Sequence, residues 1–132
     1  MTKASKGTAA EHAEAPGFEG DYAEAGGYTI GFESYTADQD PAALFRGLPN
    51  DRCQCPHWGV VLRGRLTYRY EDGTQDVVEA GEAYYARPGH LPLFSAGTEV
   101  VEFSPSADLA RTMEVVMANL EAAGAMGGEA DP

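Results

Sequence analysis

The chain has 132 residues, 43% of them hydrophobic and 23% charged, with a formal net charge of −12. This length suits one domain with its own hydrophobic core. The acidity argues against nucleic acid as a partner, since a phosphate backbone wants a basic stripe, and against docking on anionic membranes. No stretch approaches the roughly 20 apolar residues of a membrane span. The first residues, MTKASKGTAAEHAEAPG, lack the apolar core of a signal peptide. The expectation is a cytoplasmic protein, where paired cysteines serve as metal ligands or redox groups more often than as disulfides.

In chain order, residues 1–16 read as a flexible tail with His12 as a bystander. GYTIGFESY (Gly27 to Tyr35) has strand-forming residues, and DPAALFRGL (Asp40 to Leu48) a short helix or turn. HWGVVLRG is a strand that ends at a glycine turn. In RLTYRY, Leu66, Tyr68 and Tyr70 alternate with Arg65, Thr67 and Arg69, the period of two that a half-buried strand needs. Asp72-Gly73 then predicts a type I′ hairpin turn. EAYYARPGH is a strand ending in a Pro-Gly turn, and TEVVEFSP is a strand closed by proline. Strands at roughly 8–12 residue spacing point to an all-β sandwich or barrel. Leu109, Met113, Val116, Met117 and Leu120 fall on one helical face, with Ser106 as N-cap and Gly124 as stop. That helix would be a lid on the sheet or a dimer contact.

The phrases LRGRLTYRYEDG and EAGEAYYARPGH resemble the cupin superfamily of small β-barrels, over about residues 28 to 104. The family's first motif places His-x-His and then Glu before a closing glycine. Here Gly64 is that glycine, His57 stands where the glutamate is expected, and Asp51 and Cys53 stand where the histidines are. Sixteen residues separate Gly64 from Gly81, and GEAYYARPGHLP resembles the second motif with Gly81 and Gly89 in register. Pro92 occupies the last histidine position, Ala96 replaces the asparagine, and His90 sits two residues early. The resemblance implies an all-β, cupin-like β-barrel (jelly-roll or double-stranded β-helix) with one C-terminal α-helix. Its domain reading is a tail at 1–16, a barrel at 17–104, a helix at 105–124 and a second flexible tail at 125–132. The altered positions mean that the usual metal set is not inherited.

CQCPH (Cys53 to His57) is therefore weighed on its own chemistry. Alternate residues of an extended strand share a face, so Cys53, Cys55 and His57 project together and Asp51 would join them. A Cys53–Cys55 disulfide fits poorly, because alternate β-carbons lie roughly 6–7 Å apart and a disulfide wants about 3.5–4.5 Å. Two thiolates and an imidazole suit Zn²⁺, with His90 or Asp51 as a further ligand; iron, manganese or nickel are the family's alternatives. Inert core thiols or redox thiols are the competing reading. Arg63, if turned inward, would hold an anionic substrate; facing solvent it is a hairpin charge. The expectation is a divalent metal on Cys53, Cys55, His57 and His90 in a homodimer that takes a small-molecule ligand. Two functions stay open. One is a metal-dependent enzyme acting on a small polar molecule, and the other is a non-enzymatic binding or sensing module with a structural ion.

Overall fold

A computed structural model describes residues 3–130, with side chains through residue 124. Strands β1 (Glu11–Ala15), β2 (Phe18–Ala25) and β3 (Tyr28–Tyr35) are followed by 3-10 turns at Pro41–Phe45 and Pro49–Asp51. Then come β4 (His57–Arg63), β5 (Arg65–Tyr70), β6 (Gln75–Glu79), β7 (Ala83–Ala86), β8 (His90–Phe94) and β9 (Thr98–Pro105), and helix α1 (Ser106–Ala130) ends the described chain. The named strands pair antiparallel throughout, in a six-stranded sheet of order β1-β2-β3-β9-β4-β7 and a three-stranded sheet of order β6-β5-β8.

The core sits between these sheets. Val61, Ala86 and Val100 come from the larger one and Leu66, Tyr68, Tyr70 and Val78 from the smaller. This is the two-sheet cupin-like barrel, with one C-terminal helix, that the sequence implied. The period of two in β5 does what was expected of it: Leu66, Tyr68 and Tyr70 are buried and Arg65 is exposed. Leu66 is completely buried, so its truncation to alanine would cost about 2–5 kcal/mol. No helix among the described residues is long and apolar enough to cross a membrane.

Several expectations about the elements are corrected. Residues 1–16 are not a tail throughout: Lys6–Thr8 form a 3-10 turn, and Glu11–Ala15 pair along β2 from Glu11↔Tyr22 to Ala15↔Phe18. All of β1 is exposed. An edge strand with no buried face leaves no hydrophobic period to read. The β5–β6 turn is not type I′. Gly73 alone has positive φ there (88°), and the connection takes four residues, with Tyr70 N–H donating to the Thr74 carbonyl at 2.9 Å. Finally, the helix does not stop at Gly124 but runs to Ala130, while the last two residues of the expected C-terminal tail lie outside the described part.

The helix also turns a different face inward. Thr112 and Val116 are buried, whereas Met113, Met117 and Leu120 are exposed. Asn119, one turn on from Val116, donates to the carbonyls of Leu44 (2.7 Å) and Arg46 (2.9 Å). These side-chain hydrogen bonds to the Pro41–Phe45 region set the rotation of the helix, and a hydrophobic count does not see them. Ser106 is the first helical residue rather than the N-cap. Its N–H donates to the Gly27 carbonyl at 2.9 Å, and its hydroxyl shares a hydrogen bond with Thr29 Oγ1 at 2.8 Å.

Candidate metal centre

The segment before β4 is fastened to the start of β8. Cys53 N–H donates to the His90 carbonyl (3.0 Å), and Gly89 N–H and His90 N–H donate back to the Cys53 carbonyl (2.8 and 3.2 Å). Gly89 holds φ at 93°, a turn conformation suited to glycine. This clasp sets Cys53 beside His90, while His57 enters from the first position of β4. One ligand atom from each of Cys53, His57 and His90 lies within 4.8 Å of the other two, and all three residues are buried.

Each imidazole has one nitrogen engaged behind it. His90 Nδ1 donates to the Arg87 carbonyl at 2.6 Å, which leaves the Nε2 lone pair free. His57 Nδ1 lies 2.7 Å from Ser104 Oγ, and its Nε2 faces Cys53 Sγ at 3.7 Å. A zinc ion with bonds of about 2.3 Å to sulfur and 2.0–2.1 Å to nitrogen has a tetrahedral S···N edge of roughly 3.6 Å. The Cys53–His57 spacing therefore fits the ion without rearrangement. A metal on His57 Nε2 requires Nδ1–H to donate to Ser104, the outer partner that orients a ligating histidine.

The electrostatics are those of a dry site. Burial lowers His57 to about 4, and burial followed by the neighbouring His57 lowers His90 to about 3, so both rings are neutral at pH 7. Burial pushes the Cys53 thiol up to about 11, with the Glu102 carboxylate adding to the rise and a hydrogen bond from Thr112 of α1 opposing it.

The four candidate ligands are thus divided. Cys53, His57 and His90 converge, but Cys55 falls outside the group. Its thiol is fully buried, donates to the Pro56 carbonyl at 3.5 Å, and is pushed up to about 12, first by burial. The expected alternation does hold as burial, since Cys53, Cys55 and His57 are inside and Trp58 is outside. Sharing a side is not converging on a point: residues 54–56 form no strand, so the chain brings Cys53 Sγ to 3.7 Å from His57 Nε2 while the Cys55 thiol turns to the Pro56 carbonyl. Asp51 does not join them. It lies in the Pro49–Asp51 turn with φ of 55°, exposed, and its carboxylate accepts from Gly47 N–H at 3.0 Å. That turn interrupts the extended run, so alternation does not reach back to it. Arg63 faces outward and pairs with Glu99 at 3.1 Å, so it holds no interior anion.

A second polar group lies beside the first and was missed in the sequence. Tyr68 packs edge-on against His90, with ring centroids 4.8 Å apart, and its hydroxyl donates to Glu102 Oε1 at 2.6 Å. Tyr84 donates to the same oxygen at 2.7 Å, and Glu102 Oε2 stands 3.8 Å from His57 Nδ1. Tyr22 donates to Glu33 Oε2 at 2.6 Å. Burial raises the carboxyl of Glu33 to about 7 and raises that of Glu102, whereas the phenol hydrogen bonds favour their ionised forms. A third cluster, His12, Glu14 and Glu19, is exposed on the β1–β2 hairpin.

No protein-family model matches the sequence, and no curated protein matches it. Solved structures do match the fold. A protein of unknown function from Rhizobium leguminosarum is 20% identical, with TM-score 0.57 over 79% of this chain and 95% of its own. A putative ethanolamine utilization protein Q from Salmonella typhimurium is 12% identical, with TM-score 0.50 over 71% of this chain and 78% of its own. An RmlC-like cupin from Shewanella frigidimarina is 13% identical, with TM-score 0.48 over 72% and 83%. Identities this low establish the fold alone, which this chain shares with the Rhizobium and Salmonella proteins.

Proposed function

We propose that the protein holds one divalent metal ion, zinc by its donor set, on Cys53, His57 and His90, and receives a small polar molecule at the position those residues leave open. The observation that carries this reading is the convergence of three buried donors, each imidazole neutral and with one nitrogen already engaged behind it. With a bound ion, such a site supplies Lewis acidity or an activated water, which is the reading as a metal-dependent enzyme. The chain's own contribution is orientation and dryness. The Arg87 carbonyl fixes the His90 tautomer, and Ser104 Oγ holds His57 Nδ1 at 2.7 Å. A set of three protein ligands favours this over a closed structural ion, because Cys55 stands apart.

The test is the metal content of protein purified without chelator, beside that of Cys53→Ser and Cys55→Ser variants. The proposal expects loss of the ion in the first and retention in the second. Loss in both would make the site closed and structural, and would move the function to a binding or sensing module. The homodimer is a separate proposal. Its support is the exposed row of Trp58 with its register partners Phe103 and Tyr85, and Tyr28 edge-on to Trp58 at 6.1 Å. The molar mass in solution tests it.

A further inference from the structure

The Arg87 carbonyl accepts the His90 Nδ1 proton at 2.6 Å and so decides which nitrogen of that ring is free. Whatever holds Arg87 therefore reaches His90. Strand pairing does not hold it: β7 ends at Ala86, the last residue paired with β4, and Arg87 lies beyond that pair. The clasp to Cys53 fastens the other side of the turn, at Gly89 and His90. Pro88 disfavours a helical conformation at Arg87, but it does not aim the carbonyl into the barrel.

The Arg87 side chain supplies the missing anchor. Its guanidinium carbon stands 3.6 Å over the centre of the Tyr70 ring, the one cation stacked on an aromatic ring among the described residues. Its contacts with Asp72 Oδ2 and Thr74 Oγ1 are both 3.4 Å long and exposed to solvent, which makes them weak. Tyr70 is firm ground by comparison: it is 4% exposed and belongs to the core. It is also the register partner of His90 across β5 and β8, so the two β-carbons lie roughly 4.5–5.5 Å apart. Arg87, Tyr70 and His90 close a triangle. Arg87 reaches His90 through its carbonyl, and reaches the cross-strand neighbour of His90 through its side chain. Arg63 and Arg65 differ, since each pairs with an exposed acid on the outside of the barrel.

We infer that Arg87 is a positioning residue for the metal site: its side chain, stacked on Tyr70, aims the carbonyl that keeps the His90 proton on Nδ1 and leaves the Nε2 lone pair for the ion. This rests on the reading of Cys53, His57 and His90 as the ligands. A planar guanidinium suits the task because it lies flat on a ring face while its edge stays in water. The partner that orients His90 is main chain, which a substitution cannot remove. The side chain that fixes that main chain can be removed, and without it the turn and the ring lose their common anchor.

The test is zinc affinity of the full chain, measured by competition with a chelator. Arg87→Ala is expected to weaken binding about tenfold. Tyr70→Phe keeps the ring and removes a hydroxyl that has no hydrogen-bond partner among the described residues. It should stay within about twofold of wild type, as should Asp72→Asn, which removes the charge of the ion pair and leaves the stack. Tyr70→Leu should weaken binding as Arg87→Ala does, and the two together no further than either alone. A second readout needs no metal. The His90 Nδ1–H resonance should be visible in ¹H–¹⁵N spectra of metal-free wild type and Tyr70→Phe, and lost to exchange with water in Arg87→Ala. Wild-type affinity in Arg87→Ala, an equal loss in Asp72→Asn, additive losses in the double variant, or a His90 proton indifferent to Arg87 would overturn the inference. Elemental analysis of wild type keeps the readings apart. A sample that carries the ion but ignores Arg87 defeats this inference alone. One with no ion defeats the metal site, and the His90 proton then decides the role of Arg87.

Discussion

His12, Glu14 and Glu19 on the β1–β2 hairpin bring their ligand atoms within the same 4.8 Å as Cys53, His57 and His90 inside the barrel. On the hairpin, both imidazole nitrogens are engaged by acids, Nδ1 with Asp21 at 2.6 Å and Nε2 with Glu14 at 2.8 Å. These partners, Glu14 first, raise His12 to about 9, so it is an imidazolium at neutral pH. An imidazolium has no lone pair for a metal. In the barrel, burial works in the opposite direction and keeps both rings neutral, and neither ring has an acid on the nitrogen that faces the cluster: His57 Nε2 meets only the Cys53 thiol, and His90 is tied at Nδ1 alone. Proximity of donor types does not distinguish the two clusters. What distinguishes them is whether the surroundings leave a donor atom free.

The largest effect that would break this comparison is in stoichiometry. Cys53→Ser or His90→Ala should reduce a content of about one ion per chain to a small residue, and His12→Ala should leave it unchanged, as read by elemental analysis. An ion lost with His12 would mean that the exposed cluster is the metal site.

The second effect is in pH. Both buried imidazoles are already neutral, so the proton that competes with the metal is that of Cys53, whose thiol sits at about 11. Affinity should therefore fall about tenfold for each pH unit of acidification between about pH 9 and pH 5, measured by competition with a chelator. A slope near two would show that Cys55 releases its proton as well and belongs to the site. Third, Ser104→Ala should weaken binding by roughly 10–100-fold without abolishing it, because the ligands remain while His57 loses its orienting partner. An unchanged affinity would remove Ser104 from the account.

The smallest effects are on the stability of metal-free protein, and they run in opposite directions in the two regions. His57 and His90 titrate below their unfolded value of 6.5, so the unfolded chain takes up protons first. Stability should fall as pH drops from 6.5 towards 4 and 3. His12 is raised, so its contribution is complete below 6.5 and is lost as pH rises through about 9. His12→Ala should abolish the alkaline loss, seen as extra hydrogen exchange in the β1 amides relative to wild type, and leave the acid limb intact.

Sequence carried the barrel because alternation in β5 and the glycine turns at Gly64, Gly81 and Gly89 are local signals that tertiary packing did not override. It carried Cys53, His57 and His90 as candidates because their chemistry is rare in this chain. It could not separate Cys55 from them. That depends on the backbone clasp between Cys53 and His90, a contact across 37 positions in the chain with no local signature. Glu102, Glu33 and Ser104 were illegible for a related reason. A glutamate in TEVVEFSP reads as a solvent-facing charge until β3 and β4 are known to set Gly31 and Gly59 opposite it. The tyrosines were visible as strand aromatics, but their hydroxyl partners were not.

The central claim is that the buried cluster, with Cys53 in it, holds a metal while the exposed cluster does not. The most direct measurement is loading with Co²⁺, whose absorption carries a thiolate-to-metal charge-transfer band only when sulfur is bound. The account predicts that band in wild type, Cys55→Ser and His12→Ala, and its absence in Cys53→Ser. No band in wild type, or a band that survives Cys53→Ser, would contradict it.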